Sequence, residues 1–154
     1  MALVALRRQL EGAHAHLLPD YFRVPGAPAL DWPIFDRTSV ILLAEEENSE
    51  TPAASGGARA PVWGYVSVKL VETPADPAMT PCRRAHIDAV VVDAARRGGG
   101  IGTALMRAAA TWARRQEAAE LVLTVWSDNE AAEALYRRLG YRPIARVLRH
   151  VLES

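Results

Sequence analysis

The chain has 154 residues, half of them apolar and 23% charged, which is the size and make-up of one ordinary domain with a full core. Eighteen basic residues balance eighteen acidic ones, which excludes the basic surface that nucleic acid or an anionic membrane demands of a whole domain. Cys82 is the single cysteine, which excludes an internal disulfide. No charged-then-apolar leader or eighteen-residue apolar run is visible, so one cytoplasmic domain over 1–154 is expected, without nucleic-acid or membrane partners.

Leu3, Leu6, Leu10, Ala13 and Leu17 recur at helical spacing, with Arg7, Arg8 and Glu11 on other faces, and Pro19 supplies a stop. The spacing predicts an amphipathic helix over 2–18. Residues 19–37 place four prolines among Tyr21, Phe22, Trp32 and Phe35, an irregular connection anchored by its aromatics. "TSVILLAEE" is a buried strand. The Ser-, Gly- and Pro-rich stretch "NSETPAASGGARAP" then leads to "VWGYVSVKLVE", whose β-branched and aromatic alternation predicts the second arm of a long-tipped hairpin. After "TPADPAMTPCRR", the run "AHIDAVVVD" is a third strand, apolar enough in its later half to be covered on both faces. From Ile101 the period changes to 3.6, with Ile101, Leu105, Ala108, Ala109 and Trp112 on one face of a helix to about residue 117. "LVLTVW" is another buried strand. "SDNE" has the form of a capping box for a helix ending at Leu139, with Gly140 at the left-handed C-cap position, and "YRPIARVLRHVL" is taken as a final strand. The order is a mixed α/β sandwich without repeats.

The densest signal is "ARRGGGIGTALM", residues 95–106. Consecutive glycines before a helix are costly to order, roughly 0.5–1 kcal/mol each relative to alanine. A strand, a glycine turn and a helix start gather several backbone N–H groups at the positive end of a helix dipole, which suits a phosphate, and side chains there would hold the ligand away. A merely tight or flexible turn is the alternative. A P-loop would need Lys followed by Ser or Thr after its last glycine, whereas Thr103 and Ala104 follow Gly102. The dinucleotide fingerprint G-x-G-x-x-G would need a glycine at 103.

The motif present is R/Q-x-x-G-x-G/A, as Arg97, Gly98, Gly99, Gly100, Ile101 and Gly102 after a strand ending "AVVVD", and here the chain resembles the GCN5-related N-acetyltransferase (GNAT) superfamily. Downstream, "SDNEAAEALYRRLGYRP" is similar to that family's N-x-x-A-x-x-L-Y-x-x-x-G-F/Y segment, and the resemblance covers roughly residues 38 to 148. It implies a mixed, mostly antiparallel sheet flanked by helices, with acetyl-CoA as co-substrate. It implies that Val90, Val91 and Val92 offer backbone to the pantetheine arm, and that Arg97 and the turn Gly98, Gly99, Gly100, Ile101, Gly102 and Thr103 hold the pyrophosphate. Asn129 matches a cofactor-contacting position and Tyr136 the tyrosine near the coenzyme's sulfur. From the residues alone, Asn129 is equally a helix cap, and a core tyrosine on the helix's buried face is the favoured reading of Tyr136.

Acyl transfer from a thioester to an amine needs no metal, and no metal is expected. An alkylammonium is neutral only about once in 10³ at pH 7, a handicap of roughly 4–5 kcal/mol that a base or water relay must offset. A thiol ionises near pH 8.5 and a phenol near 10, so Tyr136 is expected to hydrogen-bond the developing thiolate. Asp88 sits where some family members carry a catalytic glutamate, with His86 on the same face by alternation. A carboxylate with an ordinary pKa of about 3.9 is a feeble base, so Asp88 would need burial or a water chain, and it is equally read as a structural partner of Arg83 or Arg84. A second family position for glutamate holds Thr124. Cys82, His14, His16 and His150 are taken as spectators or packing groups.

The family usually begins with a strand before the first helix, whereas this chain begins at that helix, so the first strand is expected to be absent or the chain shortened. The open edge left at the family's second strand suggests a homodimer. Loops 18–37, 44–60 and 72–85 should wall the acceptor pocket, and Glu45, Glu46 and Glu47 either attract a cationic acceptor or are simply solvated. A small-molecule amine is the first choice of acceptor and a peptide or protein lysine the second. A non-catalytic acetyl-CoA-binding regulatory module is the alternative function.

Overall fold

The computed structural model describes residues 2–23, 39–46, 60–73, 78 and 80–152. In chain order these form α1 (Ala2–Leu17), β1 (Ser39–Glu45), β2 (Val62–Glu72), β3 (Arg83–Val92), one 3-10 turn (Ala94–Arg96), α2 (Ile101–Arg115), β4 (Glu120–Leu123) and α3 (Glu130–Arg138). The sheet runs β1-β2-β3-β4. Its first three strands are antiparallel, and β4 lies parallel to β3, as the intervening crossover through α2 requires.

One helix covers each face of the sheet. Val66 and Val68 of β2 and Ala85 and Ile87 of β3 meet Leu105, Met106, Ala109 and Ala113 of α2 in the larger cluster. On the other face Leu6 of α1 packs with Tyr65, Ala89 and Val91. The apolar stripe of α1 reaches the sheet through Leu3, Leu6 and Leu10, while Arg7 and Glu11 pair one turn apart at 2.8 Å. Met106 is 2% exposed, and Met106→Ala should cost about 2–5 kcal/mol in urea unfolding through the cavity it leaves. Unchanged stability would show that α2 does not carry the core.

β3 changes phase partway along. Ser67 is opposite Ala89 and Val68 opposite Ile87, which leaves Asp88 as an extra residue, a bulge. Before it, Ala85 and Ile87 face α2. After it, Ala89 and Val91 face α1, and Val90 and Val92 pack toward α2.

Four details differ from the sequence reading. "LVLTVW" contributes only its first three residues to the sheet, in β4, because β3 and β4 part after Ile87 pairs with Leu123. The cap of α3 is Asn129, whose side chain accepts the Ala132 N–H at 3.2 Å, so the helix begins two residues later than a Ser127 cap would place it. On α2, Ala108 is exposed and Met106 and Ala113 are buried instead, because the buried stripe is centred one position off the one chosen. Residues 142–152 form neither strand nor helix among the described residues. The left-handed Gly140 is as expected, with φ of 88° and the closing Tyr141 N–H to Tyr136 carbonyl bond at 3.0 Å. Among the described residues no helix is long and apolar enough to cross a membrane. Most of loop 18–37 and the hairpin tip lie outside the described residues.

Candidate functional site

The site begins where the sheet forks. Residues 84–87 of β3 pair with Glu120–Leu123, but beyond the Asp88 bulge residues 88–92 keep β2 on one side and, among the described residues, no strand on the other. A bulge bends and twists its strand, and the parting starts at this one. Val90, Val91 and Val92 therefore lie on an edge with no neighbouring strand among the described residues.

That edge runs into the glycine turn. Asp93 ends the strand, its N–H bonding the Trp63 carbonyl at 2.8 Å and its carboxylate accepting the Ala95 N–H at 3.0 Å. Arg97 Nε donates back to the Val92 carbonyl at 3.3 Å, and the Arg96 guanidinium stands 4.9 Å over the Trp63 ring. Gly98 and Gly100 both take φ of +83°, and a Cβ at either would meet no atom within 4 Å. Gly100 is the N-cap of α2 and supplies no side-chain cap. Among the described residues, no backbone N–H from 98 to 103 has an acceptor; the first helical bond is from Ala104 to the Gly100 carbonyl, 3.0 Å. Donors without partners, a helix dipole behind them and open space above them make an anion cradle. Gly102 serves another purpose, since a Cβ there would lie 3.3 Å from Leu135 Cδ2 of α3. Ile101 turns its side chain into the core, so its backbone N–H is what faces the cradle.

Tyr136 follows Leu135 on α3. It packs against the α2 cluster, with its ring centroid 5.8 Å from that of Tyr141, and burial alone raises its hydroxyl above the ordinary phenol range. Burial and the neighbouring Tyr136 push Tyr141 up to about 12. Asn129 sits at the opposite end of the same helix and spends its side-chain carbonyl on the cap.

Asp88 is not paired with Arg83 or Arg84, which bond instead to Glu72 and Glu120. Its Oδ1 lies 3.1 Å from Lys69 Nζ and 3.1 Å from His86 Nδ1. Lys69 stands opposite His86 in the register, on the α1 side by alternation, whereas Tyr136 packs on the α2 side. Asp88 and Tyr136 are thus on opposite faces of the forked edge. Sequence reasoning missed Lys69, because the partner of His86 follows from a register that the hairpin's long tip conceals. It also missed Ser67, whose fully buried hydroxyl has no partner among the described residues, and Gly64, although a glycine inside a strand signals a close backbone approach. His14 is a packing group: its ring centroid is 4.9 Å from Phe22, and burial, then Arg7, lower its pKa. Cys82 is free, with its sulfur 3.7 Å from the Arg83 carbonyl.

Comparison with known proteins bears on this arrangement. The chain is 32% identical over 102 residues to the N-alpha-acetyltransferase RimI of Mycobacterium tuberculosis, covering 66% of this chain and 57% of that protein. It is 38% identical over 56 residues to the uncharacterized N-acetyltransferase YobR of Bacillus subtilis, 36% of this chain and 23% of that one. It therefore spans less than two thirds of the length of either curated relative. Among solved structures, a mutant of the BH1408 protein from Bacillus halodurans superposes with a TM-score of 0.83 at 26% identity, covering 99% of this chain and 92% of that one. Residues 10–141, which include the fork, the glycine turn and Tyr136, match the acetyltransferase (GNAT) family, and the chain belongs to it.

Proposed function

We propose that the protein is an acetyl-CoA-dependent N-acetyltransferase, in which a primary amine attacks the thioester directly. The observation that carries this reading is the continuity of that β3 edge with a turn whose six N–H groups, from 98 to 103, have no acceptor among the described residues. An extended amide-bearing arm can pair with Val90, Val91 and Val92, and a pyrophosphate suits the cradle beyond, with Arg97 adding charge. The open space over Gly98 and Gly100 fits such a group. When bound, the coenzyme supplies the activated acetyl group.

The chain's own residues have two tasks. Tyr136 offers a hydroxyl that burial keeps protonated, suited to donating a hydrogen bond to the departing sulfur. Asp88 is exposed and held between Lys69 and His86, 3.1 Å from each. It acts as the base through His86, whose Nδ1 it contacts, or through water. Asn129 contacts the coenzyme through the amide nitrogen its cap leaves free. The acceptor is a small-molecule amine or, second, a peptide amine.

The test is thermal melting with and without acetyl-CoA, followed by thiol release with a panel of amines. Acetyl-CoA at 100 times its Kd stabilises by about 2.7 kcal/mol, roughly a 5–10 °C rise for a domain of this size. No rise would overturn the reading of the glycine turn. Tyr136→Phe should keep the rise and lose about 10²-fold in thiol release. A binding module without activity would show the rise and no release from any amine. Because burial holds the Tyr136 proton beyond the ordinary phenol range, its protonated form persists upward in pH, and no alkaline fall in rate assignable to it should appear below about pH 10.

A further inference from the structure

The proposed reaction needs a hydrogen-bond donor for the sulfur on one side of the acetyl group and a base on the other. The fork supplies both, since Tyr136 packs on the α2 side of β3 while Asp88 and His86 lie on the α1 side. The acceptor amine therefore approaches from the α1 side, and the charged groups it meets there bear on its identity. Lys69 is central among them. It stands opposite Ser39 of β1 and His86 of β3, with its Nζ 3.1 Å from Asp88 Oδ1. Arg84 and Arg7, also on this side, are already committed to Glu120 and Glu11. An ammonium has three N–H groups and a carboxylate two oxygens. Among the described residues Lys69 spends one donor, on Asp88, and Asp88 Oδ2 has no partner. The side chains of Lys69, His86 and Asp88 are 31–33% exposed, so these remaining groups are open to a solute.

Two hydroxyls flank the same lysine. Ser67 lies on its face of β2, two residues before it and opposite Ala89; the residue is 1% exposed and its Oγ has no hydrogen-bond partner among the described residues. Ser39 Oγ, across from Lys69, is also buried and unpartnered. A buried hydroxyl left unpaired is costly, so two beside one lysine mark a place where a polar partner is missing. We propose that the acceptor is a free α-amino acid: Asp88 takes its ammonium and Lys69 its carboxylate, with Ser67 donating to that carboxylate once the lysine head swings toward it. In such a molecule the two charges are two bonds apart, about 2.5 Å from the nitrogen to the carboxyl carbon. The ligand thus sets its own ion pair against Lys69 and Asp88 with the signs reversed. A peptide N-terminus or a lysine side chain within a protein has no carboxylate at that spacing and leaves Lys69 facing an amide. The inference rests on the proposed reaction and narrows its acceptor. Asp88 with His86, or water, takes one proton from the ammonium, and the nitrogen bonds to the acetyl carbon as the carbon–sulfur bond breaks. The nitrogen's next proton ends on the sulfur, which leaves an N-acetylamino acid and the free thiol.

The experiment measures two things on the full chain: thiol release with saturating acetyl-CoA, and the melting temperature in the presence of coenzyme A. The probes are the common amino acids, their carboxamides and the amines that remain when the carboxyl group is removed. At least one amino acid should raise the melting temperature and turn over with a KM about 10–100-fold below that of its carboxamide, as the loss of a hydrogen bond to a charged group predicts. Lys69→Met should bring that ratio to within about threefold and abolish the amino-acid-induced rise, and Lys69→Arg, which still pairs with a carboxylate, should restore most of both. Ser67→Ala removes a hydroxyl that has no partner, so the melting temperature of the free protein should not fall while the KM ratio narrows. A purely structural serine would not move that ratio. Thiol release from carboxamides or simple amines as readily as from amino acids overturns this inference and leaves the proposed reaction standing. So does a KM ratio that Lys69→Met leaves unchanged. Release from none of the probes overturns both.

Discussion

Gly64→Val is expected to lower the melting temperature by roughly 6–12 °C, from a destabilisation of about 3 kcal/mol. A Cβ on Gly64 would lie 2.6 Å from the Val91 carbonyl oxygen and 3.2 Å from Leu105 Cδ1. The first is backbone locked in the β2–β3 pairing, where Gly64 is opposite Val92, and the second is a core side chain of α2 that is 2% exposed. Neither can retreat without moving a strand or a helix. Urea or thermal unfolding followed by circular dichroism measures the loss, and a variant within 1 °C of the parent would mean that β2 and β3 are spaced more widely than described.

Gly100→Val should act mainly on the ligand, with a loss of fold no greater than that of Gly64→Val and complete loss of the acetyl-CoA-induced rise in melting temperature. Nothing lies within 4 Å of a Cβ here, so no packing is disturbed. The cost to the fold is that of a β-branched residue at φ of +83°, about 1–3 kcal/mol. The isopropyl group would occupy the space above the unbonded N–H groups, where a phosphate must approach to hydrogen-bond distance. Loss of at least 100-fold in acetyl-CoA affinity is expected by calorimetry. Unaltered affinity would remove the turn from the site. The pair of variants separates two uses of glycine that look alike in the sequence, one for packing and one for ligand space.

Much of the fold was legible because periodicity survives in the strands and in α1 and α2. β2 matches its expected span of Val62–Glu72, and α1 ends one residue before the expected stop. Of the candidate site, the glycine turn was legible because positive φ and bare amides leave a compositional trace, as Gly98 and Gly100 show. What remained hidden depends on register and on three-dimensional partners. The bulge at Asp88 has no signature within "AHIDAVVVD", and without it the alternation assigns Val90 and Val92 to the face of His86, whereas they pack toward α2. Lys69 and Asp88 are nineteen residues apart and meet only because the hairpin sets His86 opposite Lys69. The capping box favours Ser127 and the residue type of Asn129 equally suits a cap; what selects Asn129 is where the chain turns after β4. The composition of the tail suits a strand, but residues 142–152 pair with no strand among the described residues.

The bulge also bears on how this gene can change length. Removing one codon from most of β3 would shift the residues on one side of the gap onto the wrong face and bury charge where valine now packs. Codon 88 is the exception. Because Ile87 is already opposite Val68 and Ala89 opposite Ser67, a chain without Asp88 keeps every other β3 residue in its present pairing and on its present face. Such a chain should still fold. It would have a regular strand along which β4 is free to continue pairing, so the fork would narrow or close. Within this strand, a single deletable codon separates an intact sheet from one with a place for a ligand.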